Sequence, residues 1–514
     1  MSGLSLSEEN VTSSSFPLTI TSFFLALSFL LILLKWSSFR KKKSGLLPPS
    51  PPTFPIIGNL HQFSSYPHRT LRKLAETYGP IMLLHLGSVP ALVISSADMA
   101  REIMKTHDII FSDRPQSKIL KIVTYDQKGI VIGPYGEYWR QMKSIAVLHI
   151  LSTRRVQSYK HVREEEINSM IEHIKSSSSL PVNLSEILGN TTKDIVCRIA
   201  LGRKYGEAVG GTSIKDLIRT SGENFGFFDV GDFIPWLGWV SSVKGLYAKA
   251  EKAAKECDEF FDSVVDEHVA KDNWKGESKY KDFVDVLLWI QKENIVGFPI
   301  DKTSIKAILV DIISAGTDTT YAALEWVMAE LLQHPEAMKK LQNEIREIAK
   351  NKSEIIEDDL HKLSYLKAVI KETLRLHPPL PLLVPRVSTQ DVKVQGFNIA
   401  RGTRVIISAY AIGRDPALWD RAEEFVPERF LNSTIDFKGQ NFELIPFGAG
   451  RRLCPGIQFA MTTNELALAK LLHKFDWKLH GVETIHDLDM TETDGTTSHK
   501  KIPLLAIATP YPSS

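Results

Sequence analysis

Cysteine is almost missing from this chain: Cys197, Cys257 and Cys454 are the only three in 514 residues. Three thiols cannot build a disulfide framework, and they suit a reducing compartment. They also leave a structural zinc site short of ligands. An excess of either charge is missing too. Lys+Arg 62 against Asp+Glu 60 gives a formal net charge of +2, which offers no electrostatic footprint for nucleic acid. No Gly/Ser-rich or low-complexity linker interrupts the chain after about residue 55, and no internal repeat is visible, so the bulk of it reads as one large domain. No flavin or nicotinamide motif occurs. Gly448-Ala449-Gly450 begins like a dinucleotide loop, but Leu453 stands where the third glycine belongs.

What is present begins with a hydrophobic run. Phe16 to Leu34 is apolar apart from Thr19, Thr21, Ser22 and Ser28, about long enough to span a bilayer. Glu8 and Glu9 precede it; Lys35, Arg40, Lys41, Lys42 and Lys43 follow, which orients the C-terminal side to the cytosol. A cleaved signal peptide is the competing reading, but no small-residue cleavage site follows the run and the basic cluster lies on its wrong side. The expected organisation is a short lumenal tail (1–15), a transmembrane anchor (16–36), a basic and proline-rich hinge (37–55) and a catalytic domain (56–514). Asn10 heads a sequon on the lumenal side; those at Asn183, Asn190 and Asn432 would face the cytosol unused.

Beyond the hinge, the apolar runs of Ile81–Ser95, split by Gly-Ser-Val-Pro, predict a β-hairpin, and short strands are expected at Val392–Phe397 and Val405–Tyr410. Nearly everything else has helical spacing. The fold class is therefore mainly α with small β-sheets. One stretch stands out chemically: Phe447-Gly448-Ala449-Gly450-Arg451-Arg452-Leu453-Cys454-Pro455-Gly456, running into a helical pattern from Ile457 to about Phe475. A lone thiol at a helix start, with proline at the first helical position, is expected to have a lowered pKa. The glycines leave room for a flat, bulky ligand, and Arg452 offers charge to an anionic group on it. An ordinary buried thiol remains the bland alternative.

The pattern Phe-x-x-Gly-x-Arg-x-Cys-x-Gly, at Phe447, Gly450, Arg452, Cys454 and Gly456, resembles the haem-ligand loop of the cytochrome P-450 superfamily. The resemblance implies the cytochrome P-450 fold, haem b as cofactor and Cys454 as the axial ligand of its iron. Further motifs agree in order along the chain. Trp139 and Arg140, on a helix opening at Tyr135, match residues that reach a haem propionate, as does Arg386. Ala315-Gly316-Thr317-Asp318-Thr319-Thr320, inside a helical pattern from about Thr303 to Gln333, resembles the oxygen-binding groove, where small residues bend the helix. There Thr319 would supply a hydrogen bond and Asp318 protons from solvent. Glu372 and Arg375, three apart and so on one face, match Glu-x-x-Arg. Arg429 of Pro427-Glu428-Arg429-Phe430 completes a triad expected to be structural. Phe111-Ser112-Asp113-Arg114-Pro115 and Phe233–Leu237 narrow the resemblance to plant microsomal members of the A-type group, family-71-like.

The resemblance implies an NADPH- and O2-dependent monooxygenase on the endoplasmic reticulum, fed by a separate NADPH–cytochrome P-450 reductase, because the chain has no site of its own for the electron donor. Its substrate would be small and lipophilic: a terpenoid, a coumarin or other phenolic, or an amino-acid-derived oxime. Ala315, Leu382, Val384 and Thr496 are candidate substrate contacts, with Phe225, Phe227, Phe228 and Thr497 as further candidate linings. A same-fold isomerase or dehydratase working without external oxygen, and a non-enzymatic haem protein, are the alternatives. The intact Asp318-Thr319 pair argues against the first.

Overall fold

In the computed structural model the described residues are 46–512, apart from 178–179, 206–228, 272–281, 296, 351, 353 and 482–483, together with the isolated positions 22, 27 and 28. The expected anchor and Phe225, Phe227 and Phe228 therefore lie outside the described residues. Among those described, no helix is long and apolar enough to cross a membrane.

The architecture is mainly helical. Its longer helices are α1 (Pro67–Tyr78), α2 (Glu137–Ile145), α3 (Lys160–Ser176), α4 (Leu184–Leu201), α5 (Leu246–Lys271), α6 (Phe283–Glu293), α7 (Lys302–Gln333), α8 (Pro335–Ala349), α9 (Ser364–Leu376) and α10 (Ile457–Lys474). The central one is α7, which packs against α4, α6, α8, α9 and α10. Its start is set by Asp301, whose side chain accepts from the Ser304 amide at 2.7 Å, a capping bond that satisfies an orphan donor. Its end is set by Pro335, which cannot continue a helix but can open the next one. Between them most side chains are buried all round, as expected of a helix enclosed by others.

Sheets are small and peripheral. Strands β1 (Ile81–Leu86) and β2 (Val89–Ile94) form the expected hairpin, with Ile81 opposite Ile94 and Leu86 opposite Val89. Strand β3 (Pro181–Asn183) belongs to a second sheet. Strands β4 (Arg386–Val387), β5 (Val392–Val394), β6 (Phe397–Ile399) and β7 (Arg404–Ile407) follow, then β8 (Phe475–Leu479) and β9 (Leu505–Pro510). The sheets order as β1-β2-β7-β4, β3-β9-β8 and the hairpin β5-β6. Two expectations shift here. The strand expected over Val392–Phe397 turns back at Gln395-Gly396, both left-handed, and becomes a hairpin. The one expected over Val405–Tyr410 stops at Ile407, because Ser408 caps a helical turn by accepting from the Ala411 amide. The main core joins α2–α10; two smaller clusters flank the four-stranded sheet.

Candidate active site

A largely apolar cavity lies between α7, the start of α10, the segment Pro379–Arg386 and the stretch from Ile130 into α2. About 1540 Å³ of atom-free space is associated with it. Cys454 is in its wall, on a loop closed by the Cys454 amide donating to the Phe447 carbonyl at 3.0 Å. Gly450 does not line the cavity. It is left-handed (φ +68°), and a Cβ there would sit 2.2 Å from the Met104 carbonyl oxygen, so glycine is required for the loop to lie against the preceding segment. Gly456 does line the cavity, and a Cβ would meet only the Cys454 sulfur, at 3.8 Å.

The geometry corrects two expectations about the thiol. Pro455 precedes the helix, because Gly456 is the N-cap and Ile457 the first helical residue. Burial also pushes the Cys454 thiol up, outweighing the Gly456 amide, 3.4 Å from the sulfur, and the charge of Lys143. A bound metal cation would act in the opposite direction, favouring the thiolate.

Opposite charges are scarce at the polar end of the cavity. Arg452 stacks on Trp139 with its guanidinium carbon 4.0 Å from a ring centroid, and its N–H groups go to the carbonyls of Ser112 (2.8 Å), Ile130 (3.3 Å) and Gly133 (2.6 Å). Arg386 reaches the Ala449 carbonyl at 2.9 Å and Asp108 at 3.4 Å. Arg114 donates to the carbonyls of Val131, Val384 and Pro385. All three have lowered pKa values, first through burial; Arg452 falls to about 9, with Arg386 next among the causes. Lys143 donates to the Leu453 carbonyl at 2.6 Å, and burial lowers it to about 8. Four buried cations share only Asp108, paired with Arg386, and the nearby Asp113, and such an excess of positive charge calls for an anion. A ligand carrying carboxylates at this end and an iron at Cys454 fits these donors, as haem b does.

Trp139 is in the wall, but its indole N–H goes to the Ile130 carbonyl at 2.9 Å. Arg140 is exposed and outside the lining. Lys143, one turn along the same face as Trp139, takes the inward place. Leu382 also departs from expectation. It packs with the cluster beside β1 and β2, while Leu383, at φ +51°, turns into the cavity next to Leu380 and Val384. Thr496 is outside the lining as well.

Ala315, Gly316 and Thr319 bring α7 to the cavity. Ala315 is exposed although most of the helix is buried, because its neighbour is the cavity. Thr319 donates its hydroxyl to the Ala315 carbonyl at 2.7 Å. The helix runs without interruption through Gly316, so the expected groove is made by small side chains on a continuous helix. Asp318 points elsewhere: its carboxylate meets His499 Nε2 at 2.9 Å. Asp311, two turns before Thr319, is fully enclosed and accepts the amides of Ile130 (2.5 Å) and Val131 (3.0 Å); burial raises it to about 6.

Away from the cavity, Glu372 and Arg375 form a two-pronged pair, each bond 2.7 Å, and Arg429 adds a third contact at 3.0 Å. Arg114, Lys143, Leu383 and His499 were not assigned roles from sequence. Only Lys143 carried a usable signal, its i+4 relation to Trp139.

A family profile described as Cytochrome P450 matches residues 48–505. Cytochrome P450 736A117 of Prunus mume is 56% identical over 99% of both chains. Cytochrome P450 71A26 of Arabidopsis thaliana is 51% identical, covering 91% of this chain and 95% of that one. A protein named Norfluorocurarine oxidase, from Strychnos sp, is 52% identical over 89% of this chain and 92% of its own. Among solved structures, a zebra fish cytochrome P450 with abiraterone superposes with TM-score 0.73 at 24% identity, over 87% of this chain and 99% of that chain, which supports the fold. A half-buried thiol facing an apolar cavity, with cations beside it, leaves room and charge for a haem group. The chain belongs to the cytochrome P450 family, whose members carry haem b.

Proposed function

We propose that this protein hydroxylates a C–H bond, or performs a related oxidative step, on a lipophilic plant specialised metabolite, using NADPH and O2. The observation that carries the reading is that Cys454 and the Ala315–Thr319 face of α7 line one apolar cavity. The relative named for oxidising norfluorocurarine supports a small organic substrate.

In this reading Cys454 would hold the haem iron as its thiolate ligand, the ligand type suited to oxygen activation. When bound, haem supplies the redox-active iron that activates dioxygen. Arg386 and Arg452, with Arg114 and Lys143, hold its carboxylates; Trp139, Phe447 and Gly456 give the walls against which it lies. Gly450 shapes the ligand loop. Thr319 keeps a hydroxyl at the cavity wall and Asp318 supplies protons from outside it. Ala315, Leu383 and Val384 position substrate and exclude water. Glu372, Arg375 and Arg429 hold the surrounding fold.

Electrons come from NADPH through a separate membrane reductase. Residues 16–36 anchor the protein in the endoplasmic reticulum, with 1–15 lumenal, 37–55 as hinge and 56–514 catalytic in the cytosol. The test is product analysis in microsomes containing this chain and a plant reductase, fed a plant lipophilic extract. An NADPH-dependent product one oxygen atom heavier, absent with Cys454→Ser, supports the reading; conversion without NADPH contradicts it. Thr319→Ala should keep haem and substrate binding while diverting NADPH electrons to hydrogen peroxide, and fully coupled turnover would remove Thr319 from its role.

A further inference from the structure

Asp318 is joined to a part of the chain far away in sequence. His499 lies near the end of a two-stranded segment in which Glu492 pairs with Lys500. Its backbone is fixed by the Thr493 amide donating to the His499 carbonyl at 2.8 Å. Its ring stacks on Tyr321, centroids 4.9 Å apart at 24°. One ring nitrogen, Nε2, is 2.9 Å from Asp318 Oδ1, and the other, Nδ1, is 4.0 Å from Glu325 Oε2.

The surroundings are built to keep that ring in place. Glu325 is fully buried and accepts from the Ser185 hydroxyl (2.5 Å), the Tyr321 hydroxyl (2.9 Å) and the Lys500 amide (3.0 Å). Trp326 Nε1 donates to the Ser498 carbonyl at 2.8 Å. At its far side the segment is tied to α1, where Glu492 meets His68 at 2.6 Å and Arg69 at 3.1 Å. The imidazole thus sits between two carboxylates on α7, and the Thr497 side chain also favours the charged form of Asp318.

We infer that His499 is a positioning residue: it holds the Asp318 carboxylate against the 492–500 segment and so fixes where Asp318 stands relative to Thr319. The inference rests on the reading of Asp318 as proton source. It also explains why Asp318, next to a cavity-lining threonine, is itself outside the lining.

Charge favours the pair. Burial acts against the charged form of each, yet the shared hydrogen bond and attraction leave His499 above its ordinary value and Asp318 below its own. The groups facing His499 are Asp318, Tyr321 and Glu325 from α7, Ser185 of α4 through Glu325, and Thr493, Thr497 and Lys500 from its own segment. The raised histidine loses its contribution as pH rises through its folded-state value, and the lowered aspartate loses its own as pH falls through its value. The pair is therefore charged between the two.

The test uses reconstituted holoenzyme as wild type, Asp318→Asn, His499→Gln and the double variant, each first shown to retain the thiolate-type carbon monoxide spectrum. Histidine NMR, with the His499 signal assigned by its loss in His499→Gln, should show its titration midpoint falling by about one pH unit in Asp318→Asn, about what loss of one strong charged partner gives. Hydrogen peroxide released per NADPH should rise about threefold in His499→Gln, a loss of under one kcal/mol, and should not rise further when His499→Gln is added to Asp318→Asn. An unmoved midpoint overturns the tether. Equal peroxide effects of His499→Gln in both backgrounds overturn the positioning role. Wild-type peroxide release by Asp318→Asn alongside a shifted midpoint overturns the proton-source reading, and positioning for catalysis with it, while leaving the contact itself established.

Discussion

Two groups of arginines inside the fold make a useful contrast. Arg375 and Arg429 share Glu372, and Arg375 also donates to the carbonyls of Gly413, Ala422 and Glu424. Glu372 in turn accepts the Val426 amide at 2.7 Å. With Glu372 at 0% and Arg375 at 1% exposure, this is a charged cluster whose donors and acceptors are answered within the protein. Arg114, Arg386 and Arg452 are buried as well, but their hydrogen bonds go mostly to backbone carbonyls. Burial, only partly offset by Asp108 beside Arg386, leaves their ionised forms disfavoured, whereas Glu372 lies between Arg375 and Arg429 and contacts both. The first group is complete as folded; the second carries an excess of positive charge that an anionic ligand would balance.

The largest effect expected from breaking this contrast is on the closed group. Glu372→Ala strands the buried Arg375 guanidinium and the half-buried Arg429 and should cost about 3–5 kcal/mol, read as a lowered denaturation midpoint and little holoprotein recovered. A midpoint within experimental error of wild type would show that the triad does not hold the fold. A smaller and differently distributed effect is expected from the open group. Arg386→Met removes a charge that repels Arg114 and Arg452 but also breaks the pair with Asp108, which keeps the Arg451 amide. These effects oppose each other, so the haem-free protein should change by no more than about 1 kcal/mol, while haem loss from the holoprotein should quicken about tenfold, the loss of roughly one charged hydrogen bond. If apo and holo forms were destabilised alike, the open group would be structural too.

Asp311 sharpens the same point with the opposite charge: its carboxylate is held by two amides and no cation. Its folded-state pKa of about 6 lies above the unfolded value near 4. The folded protein therefore binds more protons between them, and the Asp311 contribution to stability falls as pH rises through that window. Asp311→Asn should remove that slope and gain about 2–3 kcal/mol at pH 7 relative to pH 4. Parallel stability–pH curves for variant and wild type would contradict it.

These regions also differ in how far they could be read from sequence. The Cys454 loop, the 302–333 helix and the Glu372–Arg375 pair are local, since spacing alone brings their residues together. What sequence missed depends on backbone turns or distant contacts. The left-handed Leu383 exchanges the faces of Leu382 and Leu383, and no pattern of apolar residues in a proline-rich segment announces that. Arg140 and Lys143 are both cations on one short helix, and only its docked orientation selects Lys143. The Cys454 thiol was expected to be acidified by a helix start, but burial dominates once the loop is packed. His499 lies 181 positions from Asp318, and a lone histidine in a loop gives no hint of its partner.

The carbon monoxide spectrum of the reduced holoprotein, compared between wild type and Cys454→Ser, tests the central claim most directly. Wild type should give the thiolate-type spectrum and Cys454→Ser should lose it altogether. An unchanged spectrum in the variant would mean that Cys454 is not the ligand, and the account of the cavity built around it would fail.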